Sequence, residues 1–549
     1  MKIFKTLYSV LAFGAALSLT GCIEEVFPEE EHATEDQMKD AGLVSAINGM
    51  SSQFCQGYLV YEGQQVHETD MAYPQLMIAF TEMLGDMYPG GSNSGYDWYR
   101  NYNTMNASMG PSSYFSYLPW RTLYMFIKSA NDAIKTYKGI AEPKNEDKNY
   151  AAQAYGYRAF EYYLLMALFE PVENEYTDVK DVLGLTVPIV TDETTEEQAN
   201  NNPRVSHDEM VKFILSDLEE AEKLFTETGY TAKNHTAPDL SVIKALQAKV
   251  YLWDKKYAEA YTAADKAIEL AEANGAAMMT QSELTSANSA FTTATSGWLW
   301  YTHYSAENMG NLCNFIGWMS GEADWGYSSL SRPMIDKSLY DKMGLNDYRR
   351  KQFLDPDRQR GDYETCRDEE YLAAAPNYLA LKFRCAGGDY QTYSKGGAVD
   401  VPIMRLEELY LLRAEAAGMS QGVAKGVELL NKWVSTYRDP AYKCKATTER
   451  DMQLAVLTQM RIEFWGEGNA FPSAKRIKPG VMQYYEGTNA PSNIFYINAK
   501  GIKPNWTLVI PQFELDANKA LVGHNNPDPT KTVDGTKAKK GEYAEGTVK

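Results

Sequence analysis

A mainly α fold, made of antiparallel helical pairs with long loop-rich insertions and a few short strands, follows from three observations. Apolar residues recur at steps of three and four through most of the chain, the signature of helices with one buried face. Two windows, 68–109 and 298–402, break that pattern and are rich in Gly, Asn, Ser, Tyr and Trp. Hydrophobic residues make up 44% of the 549, enough for a sizeable core. A chain of this length holds about three ordinary domains or one large body with insertions. The interleaving of helices and loops is read as one body, residues 36–526.

The first residues precede that body. Lys2 and Lys5 lead a run from Leu7 to Leu19 that is too short to cross a hydrocarbon core of ~30 Å. A basic start and a short apolar run mark a signal peptide, residues 1–21. It ends in Leu19-Thr20-Gly21-Cys22, which resembles a bacterial lipobox and implies cleavage before Cys22 and acylation of that cysteine. Several acyl chains, at ~0.8 kcal/mol per buried CH₂, hold a soluble protein on a membrane. Residues 22–35, with Glu24, Glu25, Glu29, Glu30 and Glu31, read as an acidic tether.

Helices then follow in order, with pairs over about 113–273 and 403–465. Ser113 to Tyr137 carries Leu123, Phe126, Ile127, Ala130 and Ile134 on one stripe, and Tyr150 to Phe169 repeats the spacing. Gly156 inside the second predicts close approach by a neighbour. Ser206 with Glu209 three residues on is a capping-box pattern that opens a third helix. Leu240 to Ala271 reads as two helices turning at Asp254-Lys255-Lys256, with Ala245, Ala248, Ala260 and Ala264 where they cross. This resembles a tetratricopeptide unit. A further pair spans Ile403 to Met419 and Val423 to Tyr437, followed by a helix from Thr447 to Trp465. The polar, Lys/Gly-rich stretch 527–549 is expected to be a loosely packed tail.

The net charge of −20 repels phosphate, so nucleic acid is excluded as a natural partner. Beyond Cys22 the cysteines are Cys55, Cys313, Cys366, Cys385 and Cys444, with no C-x-x-C; a zinc site is not expected, and one disulfide among them stays open. No metal or cofactor motif is present. Gly418-Met419-Ser420-Gln421-Gly422 fits G-x-S-x-G, but a helix precedes it where a nucleophile elbow needs a strand. "QMRIEFWGEG" (459–468) is read as a joint: a helix end stopped by Gly466 and Gly468, with Arg461 and Glu463 tied to the Arg405–Glu415 segment. The stronger chemical signal is aromatic. Sugars lay C–H faces on rings and need paired donors and acceptors for their hydroxyls. Tyr96, Trp98, Tyr99, Arg100 and Asn101 meet that need in one loop, and Trp300, Tyr301, Tyr304, Trp318 and Trp325 in the other. The alternation from Trp298 to Tyr304 also fits one face of a strand, which would send some of those rings into the core.

Several segments resemble the SusD/RagB family of outer-membrane nutrient-binding lipoproteins. They are the lipobox with its acidic tether, "WRTLY" (120–124), "QAYGYRAFEYY" (153–163), "PRVSHDEMVKFILSDLEEAEKLF" (203–225), "VIKALQAKVYLW" (242–253), "VPIMRLEELYLLRAEA" (401–416), "MRIEFWGEG" (460–468) and "IPQFELDAN" (510–518). The resemblance runs from Cys22 to about Asn526. It implies a right-handed α-superhelix of tetratricopeptide-like pairs, a ligand face built from loops, and no catalysis or cofactor. It also implies a lid on a SusC-like TonB-dependent outer-membrane transporter, facing the cell exterior, that captures glycans and delivers them to the pore. Some relatives resemble peptide binders. A pure scaffold and a glycoside hydrolase remain as alternatives from the residues alone. Two places depart from the family text: Glu170-Pro171 after Phe169, and Phe471 to Arg476 after the Trp-Gly-Glu-Gly run.

Overall fold

The computed structural model describes residues 35–55, 60–61, 64–65, 72–90, 99–104, 109–307, 312, 314–358 and 365–546, with side chains from residue 42 onward except at 60–61 and 64–65. The lipobox, Cys22 and the tether lie outside the described residues. The longer helices are α1 (Glu35–Gln53), α2 (Tyr73–Leu84), α3 (Tyr114–Lys138), α4 (Asn145–Phe169), α5 (His207–Thr228), α6 (Leu240–Trp253), α7 (Tyr257–Ala273), α8 (Leu406–Ser420), α9 (Val423–Tyr437), α10 (Glu449–Glu463) and α11 (Ala470–Ile477).

Local chemistry sets their ends. Ser113 caps α3 by accepting from the Phe115 amide. Ser206 and Glu209 form the expected reciprocal box at α5, and Gly229 closes it in the left-handed region. Asp239 caps α6 through the amides of Ser241 and Val242. The turn between α6 and α7 falls at residues 254–256, with Lys255 itself left-handed. Each helix then buries its stripe on a chain neighbour: α3 on α4, α4 on α5, α5 on α6, and α6 on α7. Gly156 of α4 is required by this packing, since a Cβ there would lie 2.7 Å from Ile243 Cδ1 of α6. Ala248, Ala263 and Ala264 bring α6 and α7 together.

The stack continues from α7 directly onto α8, and from α8 onto α9 and α10. Residues 274–405 therefore leave the helical body between two packed neighbours and return to it. Two antiparallel strand pairs anchor this excursion. Strand β1 (Met87–Gly90) pairs with β3 (Arg332–Ile335), in register Met87 to Ile335 and Gly90 to Arg332. Strand β2 (Trp298–His303) pairs with β4 (Asp400–Arg405).

Four sequence expectations change. Ile403 to Arg405 are the end of β4, not the start of a helix; α8 begins at Leu406. Within the 68–109 window sits α2, a helix whose twelve residues are all buried. Helix α1 starts at the end of the segment read as a tether. Residues 527–546 lie against the body: Val533 joins Tyr176, Ile497 and Ala499 in a small cluster, and Asn498 bonds the carbonyl of Glu542.

The "QMRIEFWGEG" joint is a buried ionic network. Glu463 receives Arg438 at 2.8 Å, Arg349 at 3.1 Å and Arg405 at 3.2 Å. Glu467 receives Arg405 at 2.8 Å and Lys382 at 2.6 Å. Arg461, expected to face the same segment, instead pairs with Asp86 beyond α2. Gly466 and Gly468 both hold positive φ just after α10. The Gly418–Gly422 run joins α8 to α9, so no strand precedes Ser420.

Candidate functional site

The β1–β3 pairing brings the two aromatic windows together, although more than two hundred residues separate them. Behind β1, α2 is fully buried and gives a rigid floor. The short helix Asn101–Thr104 is pinned from below. Lys503 Nζ donates to the Asn103 carbonyl at 2.9 Å and to its Oδ1 at 2.6 Å, and Asn103 Nδ2 donates to Glu82 at 3.1 Å. Burial pushes the Lys503 ammonium down to about 7. Tyr102 OH reaches the Phe115 carbonyl at 2.9 Å.

On this floor stands a ring cluster. Tyr99 meets Trp318 edge-on, centroids 4.9 Å apart. Trp318 and Tyr327 stack at 4.2 Å with planes 15° apart. Asn314 caps the short helix Phe315–Met319 that carries Trp318. Trp325 fits because its neighbours are glycines: a Cβ at Gly396 would lie 2.6 Å from the indole, and one at Gly317 3.3 Å from it. Tyr99, Trp318 and Trp325 are buried, while Tyr327 is half-buried and presents the accessible ring of the stack. The indole N–H groups of Trp318 and Trp325 and the hydroxyls of Ser328 and Ser331 find no hydrogen-bond partner among the described residues. Ser331 and Trp318 line one small void of 10 Å³ with Ile78, Met87, Tyr327 and Pro333.

A second layer flanks the same turn. The Arg367 guanidinium sits between the Tyr371 and Tyr390 rings, 3.9 and 4.2 Å from their centroids, and Arg332 lies 4.8 Å from Tyr371. Arg367 pairs with Asp324 at 2.6 Å. Buried Glu322 accepts from Arg384 at 2.9 Å, from the Cys366 amide at 3.1 Å, and from the Thr365 hydroxyl. Both acids of the turn are thus paired with arginines.

The expected site residues divide. Tyr99, Trp318 and Trp325 converge, with half-buried Arg100 and Asn101 opening the pinned helix. Tyr96 and Trp98 lie outside the described residues. Trp300 belongs to the core: it is fully buried, with Phe160, Tyr157 and Phe54 as ring neighbours at 4.9, 5.2 and 5.6 Å. Tyr304 is 1% exposed and follows it inward, and Tyr301 is half-buried with its amide bonded to the His235 carbonyl. The strand alternation noted in the sequence is the reason: β2 turns Trp298, Trp300 and Thr302 into the body. Sequence reasoning missed Tyr327, Arg332, Arg367, Tyr371 and Tyr390. Only Tyr327 carried a signal, as a ring behind a glycine two residues after Trp325.

Elsewhere, a cleft of 460 Å³ opens between Leu345–Lys351 and Thr436–Pro440, but its arginines are engaged, Arg438 by Glu463 and Arg350 by Asp355. His207, Asp208 and Asp254 converge closely enough to hold a metal ion. The imidazole there already contacts Glu170 at 2.9 Å and Asp254 at 3.4 Å, and Lys256 occupies the other Asp254 oxygen at 2.8 Å. Glu170, one of the departures from family text, also accepts from the Trp253 indole at 3.1 Å. Cys55, Cys366, Cys385 and Cys444 are free thiols, and burial pushes those of Cys55 and Cys366 up to about 12.

Comparison with known proteins gives the same class throughout. Residues 64–252 match the family model described as SusD-like, starch-binding associating with outer membrane, and residues 363–528 match the SusD family model. The chain belongs to the SusD/RagB family. SusD-like protein P2 of Formosa agariphila is 24% identical over 554 residues, spanning 96% of this chain and 99% of that one. A SusD-like carbohydrate binding protein of Bacteroides vulgatus superposes with a TM-score of 0.69 at 20% identity, over 89% of this chain and 98% of its own. Surface glycan-binding protein A of Bacteroides thetaiotaomicron, solved with laminarihexaose, superposes with a TM-score of 0.62 at 16% identity, over 88% and 98%. At these identities the structures establish the shared fold.

Proposed function

We propose that this chain is a lipid-anchored cell-surface protein that binds oligo- or polysaccharides and passes them to a SusC-like TonB-dependent outer-membrane transporter, with no catalysis of its own. One observation carries the reading: Tyr327, half-buried and stacked on buried Trp318, offers an accessible, braced ring. An accessible ring takes a sugar's C–H face. Tyr99, Arg100, Asn101 and Trp325 complete the ligand face in this reading. Trp300 and Tyr304 belong to the core instead, and Tyr96 and Trp98 adjoin the face in sequence. The relative solved with laminarihexaose and the family's association with the outer membrane support the assignment. Cys22 supplies the anchor and the acidic tether the reach.

A peptide cargo is the second reading. It draws on Arg332, which pairs with no carboxylate among the described residues and is suited to a peptide's terminal carboxylate.

Isothermal titration of the purified protein against a polysaccharide panel, and in parallel against peptides, tests both. Tyr327→Ala is the informative variant. Its ring is half-buried, so the fold survives, and losing an aromatic anchor costs ~2 kcal/mol, about thirtyfold in affinity. Trp318→Ala removes a buried ring and risks the fold as well. Silence on every glycan together with peptide binding overturns the glycan reading. Glycan binding unchanged in Tyr327→Ala moves the site elsewhere.

A further inference from the structure

We propose that a second, unrelated site lies on the helical body: a pocket that binds a divalent transition-metal cation of the Zn²⁺ type through Asp239 and His235. The pocket measures 60 Å³ and is formed where three elements meet, the start of α6, the last turn of α7 and the approach to β2. Its walls include His235, Asp239, Ser241, Asn274, Ser296 and Leu299.

Three observations point to a cation. Asp239 is 2% exposed, and one carboxylate oxygen caps α6 while the other, Oδ2, has no hydrogen-bond partner among the described residues. A buried carboxylate oxygen left unpaired is costly, and no Lys or Arg pairs with it among the described residues. His235 Nδ1 lies 3.9 Å from it, too far for a hydrogen bond, and is itself without a hydrogen-bond partner among the described residues. The last turn of α7 borders the same space; its partial negative charge favours a cation and offsets the partial positive charge of the α6 N-terminus that Asp239 caps.

The donor types choose among cations. One imidazole nitrogen with one carboxylate suits zinc and its neighbours, whereas calcium and magnesium take all-oxygen sets. Nitrogen and oxygen ligands on zinc stand at about 2.0–2.2 Å, so both atoms reach one ion with a small side-chain shift. Ser296 and Asn274 line the same walls, and the volume leaves room for water in the remaining positions. A bound ion would tie the 230–239 loop, whose His235 carbonyl accepts the Tyr301 amide of β2, to the ends of α6 and α7.

The test uses the full chain, stripped with chelator and then titrated with Zn²⁺, with Ca²⁺ and Mg²⁺ as comparators. Calorimetry and thermal melting are the readouts. The expected result is one Zn²⁺ equivalent that raises the melting midpoint. His235→Ala and Asp239→Asn should each weaken that event about tenfold or more and abolish the rise. Neither variant threatens the fold, because asparagine caps a helix as well as aspartate and the His235 side chain is partly exposed. No Zn²⁺ uptake overturns the proposal. So does uptake unchanged in both variants, which would transfer the ion to a group such as His207 and Asp254. Equal response to Ca²⁺ that is independent of His235 overturns it as well.

Discussion

Glu463 accepts from three arginines in a place where water cannot help. Burial alone would push its carboxyl up, but Arg438, then Arg405 and Arg349, together hold it well below the usual carboxylate range. The buried network is balanced, with Arg349, Lys382, Arg405 and Arg438 facing Asp347, Glu407, Glu463 and Glu467. Removing one member leaves an uncompensated charge, which costs about 3–5 kcal/mol; an exposed pair is worth at most about 1 kcal/mol. Glu463→Gln should therefore lower stability by about 3–5 kcal/mol in urea unfolding at neutral pH. Because the folded value is depressed, this stabilisation is complete above the unfolded carboxylate value of about 4.3 and is lost as pH falls through the folded value. The gap between wild type and Glu463→Gln should accordingly close on acidification below that value. A gap independent of pH would show that Glu463 contributes through packing and not charge. The same helix shows where sequence reading stops. Glu463 meets Arg405 as its sequence context indicated. Arg461, two residues earlier, points about 200° away around the helix and meets Asp86 instead.

Helices α8 and α9 cross on glycines, and the two glycines are not equivalent. A Cβ at Gly426 would lie 2.7 Å from Gly418 Cα and 2.9 Å from the Ala414 carbonyl, both backbone atoms that cannot move aside. A Cβ at Gly418 would meet chiefly the end of the Met452 side chain, which can swing away. Alanine gains up to about 1 kcal/mol in helix propensity at either position. Overpacking against backbone costs about 1–3 kcal/mol. Gly426→Ala is therefore expected to destabilise, and Gly418→Ala to be milder or neutral, read as the shift in denaturant midpoint for each. Equal effects would mean the helices slide apart without resistance. Elements with one buried face were legible in the sequence, because a stripe and a cap mark them: the Ser206–Glu209 box and the turn at 254–256 fall where expected. Helix α2 was missed because it is short and lies in a window read as loop from its composition; all-round burial does not by itself hide a helix, since residues 151–169 of α4 are all buried and that helix was read. Strand β4 was hidden because a fully buried strand reads as a plain apolar run that merges into α8. The candidate site was half legible for a related reason. Composition marked both aromatic windows, but which ring is accessible depends on the β1–β3 pairing and on Gly317 and Gly396 admitting Trp325, and these are contacts between distant segments.

Among the described residues no helix is long and apolar enough to cross a membrane, so attachment by this chain rests, in the proposed function, on the acyl chains of Cys22. One acyl chain gives only marginal, reversible binding, whereas two or more give stable anchoring. The net charge of −20 gives no electrostatic help against an anionic surface. Anchor and proposed ligand face belong to different segments of the chain: Cys22 precedes α1, while Trp318 and Tyr327 stand on the excursion between α7 and α8. Cys22→Ser should therefore move the protein from the outer-membrane fraction to the soluble fraction and leave glycan affinity of the purified chain unchanged. Uptake should fall even so. In the proposed function the protein is held beside a transporter and acts at high effective concentration, and a freely diffusing form loses that advantage with no change in any contact. Fractionation, titration and growth on the identified glycan measure the three effects in one strain pair. Retention of Cys22→Ser on the membrane would show that the body itself holds the transporter or the lipid surface. Loss of glycan affinity in the purified variant would show that anchor and site are coupled, contrary to their assignment to different segments of the chain.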